Sequence, residues 1–313
     1  STREGSSQME STGLVKVVIR GENGSRVVLQ APPGGRLFDV ASGHLLLQNV
    51  VIEGSGGRAY AAEEGGCIRV ASGASGEDDD GDQAQYEGGV VTAKLTVIDS
   101  TLRQCAAFGT GGGLMVSGST ASAILLRTEF EGCTAGRGGA IGASASSSLS
   151  LTSCRLTSCS AGDFRSGADW YALAQLRGVW TERSEVGEGL RALLDGSSSV
   201  ALYGNGGGLL LGNGTIANLS NVTIVGCDAL DRGGGLCLDS GATVDMSTSE
   251  VIDCRAGYGG GALAVRLKDT RASLHMVAIS SCSATRGAMI RVGAAHRATT
   301  CHDAAYDGPR HRT

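Results

Sequence analysis

Cysteine is the residue type whose spacing in this sequence could most directly support chemistry. Six of the ten cysteines recur at gaps of 28 (105 to 133), 26 (133 to 159), 27 (227 to 254) and 28 (254 to 282) residues. The spacing lacks the paired Cys-x-x-Cys of zinc sites, so we expect neither a metal nor another cofactor here. The sequence instead predicts a structural cysteine ladder of Cys105, Cys133, Cys159, Cys227, Cys254 and Cys282.

These cysteines belong to a repeated unit of about 27 residues that also carries much of the glycine, which reaches 51 of 313 residues. Phe130-Glu-Gly-Cys133 precedes Gly138-Gly-Ala-Ile141, and Ile224-Val-Gly-Cys227 precedes Gly233-Gly-Gly-Leu236. Short apolar runs between the glycines are typical of strands, and three strands with three turns fit one unit. Such units bury their inner faces by stacking. The sequence therefore predicts an all-β, single-stranded parallel β-helix of about nine or ten rungs.

The repeat also divides the chain. Residues 1–13 are interpreted as an N-terminal linker or cap and 14–293 as the β-helix, with insertions near 71–89 and 161–195. Residues 294–313 lose the period and are interpreted as an irregular C-terminal tail. The ends of a solenoid need to be covered, so we expect other protein domains or subunits there.

Two of the repeated elements resemble those of a known family. Gly138-Gly-Ala-Ile141 matches one repeat element of the chlamydial polymorphic outer membrane proteins, and Phe130-Glu-Gly-Cys133 matches their Phe-x-x-Asn element with Cys in place of Asn. The resemblance covers roughly residues 37–290. It implies a right-handed parallel β-helix, a pectin-lyase-like solenoid, at a cell surface with adhesive or structural roles.

The oxidation state of the cysteine ladder stays open at this stage. Neighbouring rungs lie about 4.8 Å apart, within the Cα separation of about 4.4–6.8 Å that a disulfide spans. Pairs such as Cys105–Cys133 or Cys227–Cys254 are one alternative. Buried free thiols that act as small apolar side chains are the other, and we favour them slightly.

An acidic stretch in the first insertion is a weak candidate for calcium binding. Asp78, Asp80 and Asp82 alternate along the chain. Counted from Asp78, however, the sixth and twelfth positions are Gln83 and Gly89, where an EF-hand loop has Gly and Glu. A solvated acidic loop is the favoured interpretation.

The second insertion holds the candidate glycan-binding residues. It contains Trp170, Tyr171 and Trp180, with Asp163 and Asp169 close to them in sequence. Aromatic rings beside carboxylates could stack on and hydrogen-bond a sugar. The alternative, which we favour, is a lid that packs its own aromatic side chains against the solenoid.

Four Asn-x-Ser/Thr sequons are candidate glycosylation sites: Asn23, Asn213, Asn218 and Asn221. Their number indicates a secreted glycoprotein, so we expect an extracellular or cell-surface location. A preference of polar turns for Asn, Gly, Ser and Thr is the competing explanation.

Charge and motif content reduce the number of function classes that the sequence supports. The formal net charge of −5 does not favour nucleic acid as a partner, and no apolar run reaches the roughly 20 residues of a membrane span. The repeats show no paired carboxylates of a glycosidase and no phosphate loop, so no catalytic residue is assigned. We expect a non-enzymatic structural or adhesive β-helix segment of a larger surface or filament protein. The alternative is a polysaccharide lyase or hydrolase, or a glycan-binding module, that uses the 161–195 insertion.

Overall fold

The computed structural model describes residues 15–22, 26–32, 35–54, 62, 64–72, 91–162, 204–285, 287–292, 300–302 and 306–307. Throughout these residues the regular structure is β-strand, and every strand pairing is parallel. Strands that lie one repeat apart in sequence pair in register, so that successive repeats stack as rungs. The chain is thus all-β, with long parallel sheets compatible with a parallel β-solenoid.

Four ladders of strands run along the stack. The first ladder contains β1 (Lys16–Arg20), β4 (Gly43–Gln48), β7 (Ala93–Ile98), β10 (Ala121–Leu126), β14 (Ser148–Thr152), β18 (Ile216–Ser220), β22 (Thr243–Ile252), β25 (Arg271–Ser280) and β28 (Thr300–His302). The second contains β2 (Val27–Gln30), β5 (Val50–Glu53), β8 (Thr101–Arg103), β11 (Glu129–Glu131), β15 (Arg155–Thr157) and β19 (Thr223–Val225), continues through the later halves of β22 and β25, and includes β29 (Tyr306–Asp307).

The third ladder is built from two-residue strands. These are β12 (Thr134–Ala135), β16 (Ser160–Ala161), β20 (Asp228–Ala229), β23 (Arg255–Ala256) and β26 (Ser283–Ala284). The fourth contains β3 (Phe38–Val40), β6 (Ile68–Ala71), β9 (Leu114–Ser117), β13 (Ile141–Ser144), β17 (Leu209–Leu211), β21 (Leu236–Leu238), β24 (Leu263–Val265) and β27 (Ile290–Val292).

A full rung therefore has four strands, one more than the sequence interpretation of three. The additional strand is the two-residue strand of the third ladder, which follows the cysteine slot, as at Thr134–Ala135. A run of two residues is too short to show a strand pattern in the sequence. The corner between the first and second ladders has a positive φ without being glycine: Asn49, Asp99, Arg127, Ser153, Asn221, Thr248 and Met276 have φ between 46° and 54°.

Alternating side chains along the strands form the interior of the stack. One apolar column of the first ladder runs through Leu47, Val97, Leu125, Leu151, Leu219, Met246 and Leu274, which pair in register and are buried. A column of the second ladder runs through Ile52, Leu102, Phe130, Leu156, Ile224, Val251 and Ile279. These columns give one continuous core, as stacked repeats require.

The Gly-Gly-Gly element forms the corner before the fourth ladder, and its glycines have different roles. The first has a positive φ, for example 74° at Gly111, which glycine adopts without a Cβ penalty. The second lies against the backbone of the next rung. A Cβ on Gly112 would be 2.2 Å from the carbonyl oxygen of Gly139.

Candidate functional site

A shallow groove lies on the outer face of the first ladder, and polar side chains project into it. Its volume is about 360 Å³. Outward side chains of β18, β22 and β25 line it in two columns that cross three consecutive rungs. The columns are Asn218–Asp245–Ser273 and Ser220–Ser247–His275.

The groove offers an amide, one carboxylate, several hydroxyl groups and an imidazole. These groups include donors and acceptors suited to hydroxyl-rich ligands. Asp245 is the one carboxylate among the described lining residues, whereas most glycoside hydrolases use two.

The three described sequon asparagines all have exposed side chains in the rungs that form this groove. Asn213 lies in the turn between β17 and β18, and Asn218 lies in β18 and lines the groove. Asn221 occupies the corner between the first and second ladders and donates its amide hydrogen to Ser153 Oγ at 3.0 Å. Asn23 lies outside the described residues.

The candidate residues of the two insertions also fall outside the described residues. These are Asp78, Asp80 and Asp82 of the acidic stretch, and Asp163, Asp169, Trp170, Tyr171 and Trp180 of the aromatic stretch. Both the calcium alternative and the sugar-stacking alternative remain predictions.

Five of the six ladder cysteines form a stack of free thiols, here named the thiol column. It consists of Cys133, Cys159, Cys227, Cys254 and Cys282, all on the stretch that joins the second and third ladders. Most of these thiols donate to a carbonyl oxygen of the preceding rung, for example Cys133 to Leu102 at 3.6 Å and Cys159 to Phe130 at 3.8 Å. The weak S–H donors of these cysteines are therefore hydrogen-bonded inside the stack.

Burial and contact between neighbouring thiols shift the pKa values within the column in both directions. Hydrogen bonds with the Cys159 and Cys254 thiols lower the pKa of Cys227 well below its usual value. Burial raises the pKa of Cys159 well above its usual value, and the adjacent Cys133 and Cys227 thiols add to the shift. The Cys227 thiol raises the pKa of Cys254 to about 12, with burial contributing. Protonated thiols are poor nucleophiles and metal ligands, so Cys159 and Cys254 are suited to packing in the folded stack.

The sixth ladder cysteine, Cys105, is oxidised, and its partner is Cys67. The alternative pair Cys105–Cys133 is therefore wrong, and so is the interpretation of Cys105 as a free thiol. Cys67 occupies the third position of a Gly-Gly-Cys version of the glycine element, equivalent to Gly113, Ala140 and Gly208. The sequence repeat hid this pair because Cys67 lies outside the recurring cysteine slot.

The disulfide joins the corner of one rung to the cysteine slot of the next. The corner and the cysteine slot also come close together further along the stack. A Cβ on Gly208 would lie 3.6 Å from Cys227 Sγ. Ala140 shows that this corner position tolerates a Cβ, since its side chain is buried there. At Cys67 and Gly208, the third position of the glycine element thus lies beside the cysteine slot of the following rung.

Replacing Ala140 with cysteine is expected to create a second disulfide, to Cys159, because residue 140 is equivalent to Cys67 and Cys159 to Cys105. Peptide mapping without reduction would detect it. The matched control is Ser144→Cys, since Ser144 Oγ instead lies 3.5 Å from Ser117 Oγ. If Cys159 stays free in Ala140→Cys, the inferred facing of these two slots is wrong.

Removing the Cys67–Cys105 disulfide is expected to lower the free energy of unfolding by about 3 kcal/mol, because the bond closes a loop of tens of residues in the unfolded chain. Urea denaturation of Cys67→Ala/Cys105→Ala would measure the loss. The control is Cys237→Ala, which removes a buried free thiol without changing any cross-link. An equal loss in the two variants would contradict the cross-link effect.

Several charged side chains form partly exposed ion pairs between or within rungs. Arg127 binds both carboxylate oxygens of Asp99, its neighbour in the adjacent rung. This hydrogen bonding lowers the pKa of Asp99. Across the described ranges, no group of three His, Cys, Asp or Glu side chains is arranged to hold a metal ion.

Comparison of the chain with protein-family models, with curated proteins and with solved structures found no match. The search for membrane-spanning helices, made over the described part of the chain, also found none.

Proposed function

We propose that this chain is a right-handed, pectin-lyase-like parallel β-helix that serves as a non-enzymatic structural or adhesive segment of a larger extracellular protein. The observation that carries the proposal is the in-register stack itself. The recurrent glycines, cysteines and apolar residues contribute to corners, ladders and core. The resemblance to polymorphic outer membrane protein repeats points to the same class.

The disulfide supports an extracellular location. Cys67–Cys105 joins two rungs, and structural disulfides persist mainly in oxidising compartments. The exposed Asn213, Asn218 and Asn221 are compatible with glycans on the outer surface. The chain would therefore be a disulfide-bonded, glycosylated surface segment.

The N-terminal end of the described stack supports a partner domain or subunit. Val17 points toward the interior in register with Leu45, yet it is 48 % exposed whereas Leu45 is 6 % exposed. An exposed interior side chain at one end of the described stack is compatible with a covering domain or subunit.

Secretion of the chain from eukaryotic cells tests the location and the class together. We expect a soluble protein with Cys67–Cys105 formed, with glycan on at least one of Asn213, Asn218 and Asn221, and without depolymerase activity. Mass spectrometry before and after enzymatic deglycosylation would measure glycan occupancy. Retention of chain-coated beads on cell and polysaccharide surfaces would measure adhesion. Release of unsaturated products from uronans would overturn the non-enzymatic proposal.

Glycan binding is the second candidate, favoured by the groove described above. Consecutive rungs repeat every ~4.8 Å, so successive polar side chains could contact successive parts of an extended polysaccharide. In a glycan array, Asp245→Asn and His275→Ala should weaken any binding at least tenfold. The control Asp228→Asn changes an exposed carboxylate of the third ladder and should leave binding unchanged.

A further inference from the structure

The thiol column differs at its C-terminal end from the rest of its length. Cys133, Cys159, Cys227 and Cys254 are buried, whereas Cys282 is half-buried. A reagent in solvent can therefore reach Cys282 in the folded protein, while the other four thiols are shielded.

Cys282 and Cys254 lie in neighbouring rungs in the same slot. The residues that follow them pair directly, Arg255 with Ser283 and Ala256 with Ala284. The Cys254 amide donates to Cys282 Sγ at 3.4 Å. Adjacent parallel strands lie about 4.8 Å apart, and disulfides span Cα separations of about 4.4–6.8 Å. The two thiols are thus within bonding reach.

We propose that Cys254 and Cys282 form a dithiol modification site that a low-molecular-weight disulfide such as oxidised glutathione converts to a disulfide. Cys67–Cys105 shows that sulfur atoms of consecutive rungs can bond in this molecule. Only Cys105 of that pair occupies the cysteine slot, since Cys67 lies at the glycine corner. Oxidation of this site would fasten the last rungs of the thiol column, as Cys67–Cys105 fastens the rungs before it.

The reaction has two exchange steps. The Cys282 thiolate attacks one sulfur of the glutathione disulfide, forms a mixed disulfide and releases one glutathione thiolate. The Cys254 thiolate then attacks Cys282 Sγ, forms the protein disulfide and releases the second glutathione thiolate. The protein loses two electrons and two protons, and the glutathione disulfide gains the two electrons.

Contact with the Cys254 thiol, together with burial, raises the pKa of Cys282. The thiolate that starts the exchange is therefore scarce at neutral pH. The test therefore uses an incubation at about pH 8.5, because a higher pH increases the thiolate fraction of a cysteine.

The experiment treats the folded full chain with oxidised glutathione, alkylates it in denaturant and maps the tryptic peptides without reduction. Cys282 lies in peptide 272–286, and Cys254 shares peptide 233–255 with Cys237. We expect these two peptides to become cross-linked, with fragmentation placing the bond at Cys254. Cys133, Cys159 and Cys227 should be recovered as free thiols.

Two variants sharpen the test. Cys282→Ser should abolish oxidation of Cys254, and Cys133→Ser, at the shielded end of the column, should leave the cross-link unchanged. A stable glutathione adduct on Cys282 with Cys254 free, a cross-link at Cys237, or no modification of the folded wild type would each overturn the proposal. The wild-type map decides the question even if a variant fails to fold. The oxidised protein should also unfold several degrees higher than the reduced form.

Discussion

Gly112→Ala is expected to lower the free energy of unfolding by about 4 kcal/mol, the largest effect of a single methyl group that we predict. The new Cβ would lie 2.2 Å from the carbonyl oxygen of Gly139 and 2.5 Å from that of Thr134. Both atoms belong to the backbone of the next rung, so relief of the clash requires neighbouring rungs to separate. Urea denaturation followed by circular dichroism would measure the loss.

Gly212→Ala is the matched control. Like Gly112, Gly212 does not have a positive φ, but its nearest potential contact is 4.0 Å away. This substitution should change stability by less than about 1 kcal/mol, and it could stabilise the fold by restricting the unfolded chain. Similar losses in the two variants would show that close packing between rungs is not the reason for glycine at position 112.

Phe130→Ala is expected to cost about 3–5 kcal/mol, because it removes a large buried side chain and leaves a cavity in a rigid stack. Phe130 is fully buried in β11 and lies between Leu102 and Leu156 of the adjacent rungs. Its ring also fills the space beside Gly113, where a Cβ would come within 2.7 Å of it. Thermal and urea unfolding would measure the effect.

The control for this variant is Ile124→Ala in the neighbouring strand β10. Ile124 projects from the outer face and is 54 % exposed, so its truncation should change stability by no more than about 0.5 kcal/mol. A small loss in Phe130→Ala would mean that the stack closes around the cavity at low cost. That result would contradict the rigid packing described for the second ladder.

The repeat period and the glycine corners could be predicted from the sequence, because both follow from short-range requirements. Gly111 needs its positive φ, and the adjacent Gly112 must leave room for the next rung. These constraints recur once per rung and therefore appear as a pattern. The third-ladder strands, such as Thr134–Ala135 and Ser160–Ala161, contain only two residues each. They are too short to show alternation, so the sequence pattern did not reveal them.

The residues of the candidate site could not be grouped from the sequence, because their proximity depends on the register between rungs. Asn218, Asp245 and Ser273 are separated by more than 25 residues from one to the next, and no sequence motif links them. Strand pairing places them side by side on one outer face. The sequence had directed attention to the aromatic insertion at 161–195, most of which lies outside the described residues.

The sequence by itself determined the period of the stack, its parallel β character and which residues could serve as core, corner or cysteine slot. The tertiary structure decided which cysteines meet. Cys67 and Cys105 are bonded, whereas Cys133 to Cys282 remain thiols. The physical reason is that the sequence repeat fixes only the position of each cysteine within its own rung. Contact between two sulfur atoms also depends on which position of the next rung each cysteine side chain faces, and only the tertiary structure fixes that.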